Sequence, residues 1–196
     1  LAEIFKILWE KKKIIIGFTT FSAIFSVFYA LSLPNIYSSN ALLAPTSPDE
    51  SLQSKIGATS LGGLAGLNIP KDYVKKSTEA IERIKSYDFF IEEFIPNIKY
   101  ENLVAVKTWD KKTNTLIYNK NLYDNKLNIW MEKNGSSQKP STQQAYKVYR
   151  QILQISEDKL SALVSISIEH KSPYVAQSWV DLIIRNINDY MRKIDK

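Results

Sequence analysis

The sequence predicts an α+β protein in which an N-terminal transmembrane helix precedes an α/β domain that ends in a long C-terminal helix. Three patterns carry this prediction. A charge-free apolar run covers Ile14–Leu33, and apolar residues recur every three or four positions from Ala176 to Ile194. Between them, every second residue from Ala162 to Ile168 is apolar, and Ser165, Ser167 and Glu169 alternate with the last of these. These periods are typical of a membrane helix, a half-buried strand and an amphipathic helix.

The run Ile14–Leu33 is long enough to span a membrane. Its 20 residues would cover about 30 Å as a helix, the hydrocarbon thickness of a bilayer. A signal peptide and a soluble core helix are the alternatives, but the apolar region of a signal peptide is usually only about 7–15 residues long, and a buried soluble helix of this length would usually carry some charge. On one face of the predicted helix, Ser22, Ser26 and Ala30 recur every four residues, and such small residues let two membrane helices pack closely. Chance spacing of small residues is the other interpretation.

Lysine placement orients the predicted span. Four lysines precede it, whereas no Lys or Arg follows it until Lys55. The positive-inside rule then places the N-terminus in the cytoplasm. We expect residues 1–13 to be a cytoplasmic flank, residues 14–33 to be the span and residues 34–196 to be an extracytoplasmic domain. Because the chain begins with Leu1 and its last helix lacks a C-cap, we also expect it to be part of a longer protein.

Residues 45–70 form a Pro- and Gly-rich segment. A short helix is predicted at Asp49–Ile56. Gly57–Gly62 has the spacing of a P-loop, but Gly63 and Leu64 stand where that motif needs Lys and Ser or Thr, so nucleotide binding is not predicted. The better interpretation is a flexible apolar loop that contacts another subunit, another protein or the membrane face. Its candidate residues are Leu61, Gly62, Gly63, Leu64, Ala65, Gly66 and Leu67.

Strand and helix signals flank this segment. Residues 35–44 predict a strand with Tyr37, Ala41 and Leu43 on one face. A helix is predicted over Asp72–Lys85, with Val74, Ile81 and Ile84 inward and Ser77, Glu79 and Glu82 outward. Ser86 is a predicted N-cap for Tyr87–Ile95, which Pro96 should end. The inward residues of that second helix are Phe89, Phe90, Ile91, Phe94 and Ile95.

Residues 97–139 are polar and rich in turns. Short apolar pieces lie at Leu103–Val106, Thr115–Tyr118 and Leu127–Met131, and Asn134 with Gly135 signals a turn. Trp109 and Trp130 are predicted core anchors, with sugar-stacking platforms as the alternative.

The C-terminal part has the clearest local signals. Ser141 and Gln144 form a capping box for a helix with Ala145, Val148, Tyr149 and Ile152 on one face. We expect Ser156–Lys159 to turn the chain into the alternating strand. Ser172-Pro173 predicts the start of the last helix. Its apolar seam has the spacing of a coiled coil and consists of Ala176, Val180, Ile183, Ile187, Tyr190 and Ile194.

The residue inventory argues against catalysis. With 0 Cys and 1 His, the chain offers no thiolate zinc site, iron–sulfur cluster, cysteine nucleophile or multi-histidine metal site of its own. His170 is predicted to be a surface or capping residue, and no serine-nucleophile elbow is present. The net charge is +6, but the basic residues are interspersed with acidic ones and do not form a long cluster. This pattern does not favour nucleic-acid binding. We expect no enzyme activity, no cofactor and no metal.

The order of these motifs resembles a known family. The Lys-rich flank and apolar run are followed by I-Y-S-S at residues 36–39, S-L-G-G-L-A-G-L at residues 60–67 and A-I-E-R-I-K-S-Y-D-F-F at residues 80–90. Trp109-Asp110 and Pro140-Ser141 come next, and L-V-S-I-S-I-E-H-K-S-P at residues 163–173 leads into the last helix. This series is similar to the Wzz-like chain length determinants, which are polysaccharide co-polymerases of bacterial inner membranes.

The resemblance implies a periplasmic α+β base domain, ring-shaped homo-oligomers and a second span beyond this chain. It implies a non-catalytic scaffold that sets the length of O-antigen or a related polysaccharide made by a separate polymerase. Contacts with the polysaccharide or its lipid-linked precursor, and with the lipid bilayer, would follow. Two alternatives remain: the membrane domain of an exopolysaccharide or capsule co-polymerase with a downstream tyrosine kinase, and a membrane-anchored envelope enzyme.

Overall fold

A computed structural model describes Trp9 and residues 11–44, 71–158 and 163–194, with the side chains of residues 71–75 left out. The chain divides into two compact units that meet between Asn35 and Ile36. In the described residues helices and strands are mixed and the last helix is long, as predicted.

The first unit contains helix α1, Lys12–Ser32. The helix begins two residues before the predicted span and ends one residue before its predicted end. Leu33 is extended, with φ −70° and ψ 137°. Pro34 explains this ending, because the proline ring disfavours helical geometry in the residue before it.

The second unit is built on an antiparallel three-stranded sheet with the strand order β1–β9–β8. Strand β1 is Tyr37–Leu43, β8 is Leu153–Glu157 and β9 is Val164–His170. The pairs Ala41↔Ile166 and Ile155↔Ile166 set the register. The predicted strands in residues 35–44 and 162–169 are confirmed over the described residues.

The sheet has one apolar face and one polar face. Ile166 and Ile168 are completely buried on the apolar face, as predicted for the alternating strand. On the polar face, the hydroxyls of Ser38 and Ser167 lie 2.8 Å apart, and Gln154 donates to Glu169 at 2.8 Å. A sheet covered by helices on one side produces this alternation.

Strand β8 corrects one sequence prediction. Ser156–Lys159 was expected to turn the chain, but Ser156 and Glu157 continue β8 and pair with Ser165 and Val164. Residues 159–162 lie outside the described residues. The strand is hard to recognise from the sequence because it is short, its Gln154 and Ser156 are exposed, and only Leu153 is deeply buried.

Helix α2, Lys71–Lys85, confirms the helix predicted over Asp72–Lys85. Ile81 and Ile84 are buried, and Glu79 and Glu82 are exposed, as expected. The prediction for Ser77 is wrong: its side chain is buried and its hydroxyl donates to the Glu157 carboxylate. Glu157 of β8 therefore contacts α2 at a position that the sequence pattern assigned to solvent.

Ser86 caps the next helical segment, as predicted, since its Oγ accepts from the Phe89 N–H at 3.1 Å. Helix α3, Tyr87–Phe89, continues as a π-helix over Phe90–Phe94 and a 3₁₀ turn over Ile95–Asn97. The helical path thus passes the expected stop at Pro96, which lies in the first turn of the 3₁₀ segment and needs no N–H donor there.

Residues 100–137 form helix α4 and a series of short hairpins. The predicted piece Leu103–Val106 is split between α4 and β2. The turn at Asn134 and Gly135 is confirmed, with φ of 53° and 74°. The elements are α4 Tyr100–Val104, β2 Val106–Asp110, β3 Thr115–Tyr118, β4 Tyr123–Asp124, β5 Ile129–Trp130, β6 Glu132–Lys133 and β7 Ser136–Ser137.

Two helices complete the second unit. The capping box of α5, Thr142–Ile152, is confirmed by reciprocal hydrogen bonds between Ser141 and Gln144. Helix α6 covers Pro173–Ile194 and begins at the predicted proline. It packs on β1 and β9, so its seam contacts this chain's own sheet. Ile194 departs from the seam prediction, because 48% of it is exposed.

Aromatic rings fill the core between the helices. Phe94 lies 4.7 Å from Tyr149 and 5.4 Å from Trp179, measured between ring centroids. Trp179 is only 4% exposed. The sequence prediction did not include Trp179 in the core. It lies three residues after Ala176, however, and that spacing places the two residues on the same side of a helix.

Candidate functional site

The predicted packing stripe lies on α1. Ser22, Ser26 and Ala30 follow one another at four-residue intervals on an unbroken helix, and all three are exposed. Their spacing therefore places them on one side of α1. Their role in helix packing stays a prediction.

Helix α1 has the length and composition of a membrane span. Its 21 residues have a mean hydropathy of 2.0, and none is buried against other described residues. Its N-terminal end carries Lys11, Lys12 and Lys13, and its last turn carries no basic residue. This assignment rests on length and composition. A signal sequence near an N-terminus passes the same test.

The predicted contact residues Leu61–Leu67, and the short helix predicted at Asp49–Ile56, lie outside the described residues. Residues 45–70 join Ala44, which follows β1, to Lys71, where α2 begins.

An open cleft of about 310 Å³ lies between α2, the sheet and the C-terminal half of α6. Ala44 contributes to it. Its walls are mainly apolar, and Lys76 and Arg192 add positive charge. Such a surface can accept an apolar segment flanked by negative charge. Its apolar side chains include Leu43, Ala80, Ile84, Val164, Ile187 and Met191.

Tyr37, Trp109 and Tyr174 form an aromatic surface on the second unit. The Trp109 ring meets Tyr37 edge-on with a centroid distance of 5.5 Å, and it lies 6.0 Å from Tyr174. Tyr174 is 60% exposed. These residues come from β1, β2 and the first turn of α6, so the sheet register and the β2–β3 hairpin bring them together.

The prediction that Trp109 and Trp130 anchor the core is wrong. Both are half-buried: Trp109 packs on Tyr37 and Tyr174, and Trp130 packs on Tyr100 and the buried Tyr123. Trp130 lies 5.1 Å from Tyr123 and 6.0 Å from Tyr100. Aromatic content in a turn-rich stretch does not distinguish a core ring from a surface ring, because both come from short strands with alternating exposure.

His170 is buried, which corrects the prediction of a surface residue. Its Nδ1 accepts from the Ser172 N–H at 2.9 Å, which leaves Nε2 to donate to the Asn102 carbonyl at 3.0 Å. The hydrogen bond from the Ser172 N–H, at the start of α6, agrees with the predicted capping role of His170. Burial holds the pKa of His170 below its usual value, so the neutral ring is favoured. Both ring nitrogens are thus engaged by backbone groups.

The described residues bring together no group of three or more His, Asp or Glu side chains that could hold a metal ion. Glu92 and Glu93 are the adjacent carboxylates on the π-helix. Glu92 pairs with Arg83 at 2.9 Å, and the Glu93 backbone carbonyl accepts from Asn186 at 2.7 Å.

Comparison with protein families bears on the first half of the chain. The model of Wzz, described as chain length determinant protein, matches residues 1–98, which is half of the 196 residues. The chain belongs to the Wzz family. The matched half contains α1, β1, α2 and the helical turns that end at Asn97. A comparison with curated individual proteins finds no match.

Membership of the Wzz family indicates the general role of the chain. Wzz proteins are chain length determinants, or polysaccharide co-polymerases, and they regulate length without catalysing the polymerisation. The geometry is compatible with this class: α1 can anchor the chain, and the second unit carries an open cleft and an aromatic surface.

Proposed function

We propose that this Wzz-family chain is a non-catalytic scaffold of the bacterial inner membrane that regulates the chain length of O-antigen or a related surface polysaccharide. The family match over residues 1–98 is the observation that supports it. The scaffold acts with a separate polymerase, which performs the glycosyl transfer. Contacts with the growing polysaccharide or its lipid-linked precursor then determine when release competes with extension.

The proposed topology follows from α1 and its flanks. Residues 1–13 lie in the cytoplasm, residues 14–33 span the membrane and residues 34–196 form the periplasmic domain. The lysines before α1 support this orientation. An alkaline phosphatase fused after Lys196 should be active, since that enzyme folds in the periplasm. An inactive fusion together with an active cytoplasmic reporter at the same position would contradict the orientation.

Assembly is proposed at two places. The scaffold is a homo-oligomer, in which Ser22, Ser26 and Ala30 let neighbouring spans approach closely. Leu61–Leu67 contacts a second subunit or the polymerase. Its composition supports this role, because leucines supply apolar area and glycines permit close backbone approach.

The test is the length profile of the surface polysaccharide in cells whose protein carries Leu61→Ser together with Leu64→Ser. We expect a shifted profile, or weakened oligomers, with little change in total polymer. The matched control is Leu42→Ser together with Leu127→Ser, two exposed leucines of the described chain, and it should leave the profile unchanged. An unchanged profile with intact oligomers in the first variant would remove the contact role of Leu61–Leu67.

A further inference from the structure

We propose that the aromatic surface of Tyr37, Trp109 and Tyr174 is a bilayer-docking surface, which contacts phospholipid headgroups beside the α1 span. The inference rests on the proposed function in one respect, namely that α1 crosses a membrane. It adds a surface of the folded unit that binds the lipid interface itself.

The chemistry of the three rings suits an interface between hydrocarbon and water. Tyr and Trp combine an apolar ring with a polar group, and they are enriched where membranes meet water. Trp109 donates from Nε1 to Asn114 Oδ1 at 3.0 Å, so the polar edge of this half-buried ring is satisfied within the hairpin. Ile36 and Tyr174 are 58% and 60% exposed, which leaves apolar area unprotected from water in the second unit alone.

The covalent chain restricts where this surface can lie. Only Pro34, Asn35 and Ile36 separate Leu33 from Tyr37. An extended chain covers at most about 3.5 Å per residue, so Tyr37 lies within about 14 Å of Leu33. With α1 in the bilayer, this tether keeps Tyr37 close enough to the membrane for lipid headgroups to be within reach of the aromatic surface.

Positive charge around the rings matches anionic headgroups. Lys111 and Lys112 lie in the turn of the β2–β3 hairpin, directly after Trp109 and Asp110. The Asp110 carboxylate is occupied within that turn, where it accepts from the Lys112 N–H and the Thr113 hydroxyl, each at 2.8 Å.

A second pair of basic residues lies near strand β2. Lys107 and Lys171 line an open polar cleft of about 510 Å³ together with Asn119 and Asn121. Lipid phosphates carry the charge that these side chains attract. The combination of one exposed and two half-buried rings, a short tether and lysines thus favours a lipid surface over a soluble partner.

The absence of cysteine from the sequence permits a direct test. Tyr174→Cys in the full chain would carry one nitrobenzoxadiazole label, and the protein would be reconstituted in vesicles of phosphatidylethanolamine and phosphatidylglycerol. Ile194→Cys is the matched control, because it is exposed on the same helix and lies about 30 Å further along it. A headgroup spin-labelled lipid serves as the quencher.

We expect quenching about twofold or more stronger at position 174 than at position 194, since 30 Å exceeds the reach of a contact quencher. Thr113→Cys, which retains all three rings, should be quenched like position 174, and adding Tyr174→Ser should reduce that quenching. Equal quenching at positions 174 and 194 would overturn the proposal. The proposal would also be overturned if soluble polysaccharide changed the fluorescence of the label while the spin-labelled lipid did not quench it. That result would indicate a glycan-binding surface.

Flotation separates this inference from the proposed function. Full chain that does not float with the vesicles after an alkaline wash contradicts the membrane span, and with it both proposals. Full chain that floats and shows equal quenching at both labels overturns the docking surface alone.

Discussion

The hydroxyl of Tyr149 donates a 2.8 Å hydrogen bond to the backbone carbonyl oxygen of Ile84. The Tyr149 ring is completely buried, with Phe90 and Phe94 at 5.2 and 4.7 Å between centroids. Burial raises the pKa of Tyr149, so the hydroxyl remains a protonated donor. This bond connects α5 to the last turn of α2, and it therefore ties the second half of the chain to the half that matches the Wzz family.

The first prediction concerns this hydrogen bond. Tyr149→Phe should lower the free energy of unfolding by about 1–2 kcal/mol, because the buried Ile84 carbonyl loses its partner. Urea unfolding of the full chain in detergent micelles measures the change. The control is Tyr174→Phe, an exposed tyrosine, which should change the free energy by less than about 0.5 kcal/mol. Equal effects of the two variants would contradict the assigned core.

The second prediction tests the sidedness of the sheet. Ile166→Ala removes a completely buried side chain and should lower the free energy of unfolding by about 2–4 kcal/mol. Leu42→Ala, on the neighbouring strand β1, removes a side chain that is 67% exposed and should have a much smaller effect. Comparable losses in chemical denaturation would mean that the register of β1 and β9 is incorrect.

The third prediction concerns pH and His170. Burial depresses the folded-state pKa of His170, so the unfolded chain binds a proton more readily. The stabilising contribution of the neutral ring is fully present above about pH 6.5, the unfolded value, and is lost as the pH falls toward the folded pKa. Urea midpoints at neutral and mildly acidic pH should therefore differ more for the native chain than for His170→Gln. The same pH dependence in both proteins would exclude His170 as its source.

The fourth prediction concerns the small-residue stripe. Ser26→Leu should weaken self-association of the α1 span, since a larger side chain prevents close backbone approach. Phe28→Leu is the control, because position 28 lies on another side of α1. Chemical crosslinking of the full chain in membranes measures the oligomer. Loss of oligomer in the control, or none in Ser26→Leu, would show that the stripe is not the contact.

Local chemical signals predicted much of the fold. Ser141 and Gln144 start a helix by satisfying each other's backbone groups, and Pro173 starts another by its fixed φ. Neither depends on the rest of the structure. The alternation from Val164 to Glu169 likewise predicts which face of the strand lies in the core, and Ile166 and Ile168 are completely buried there.

The misplaced residues depend on distant partners. Ser77 is buried because Glu157 lies opposite it, 80 positions along the chain. His170 is buried because Asn102 and Ser172 engage its two ring nitrogens and Trp179 packs against its ring at 5.0 Å. Glu157 and Asn102 lie 80 and 68 positions away along the chain, so the sequence around Ser77 and His170 does not indicate these contacts. The aromatic surface was missed for the same reason, since Tyr37, Trp109 and Tyr174 come from three separate elements.

The most direct test of the proposed function is the length distribution of the surface polysaccharide in host cells with and without the full-length protein that contains this chain. Electrophoresis of the polysaccharide measures both the distribution and the total polymer. We predict that deletion broadens or shifts the distribution while polymer is still made, and that expression of the protein restores the original lengths. An unchanged distribution, or complete loss of polymer accompanied by polymerase activity in the purified protein, would contradict the scaffold.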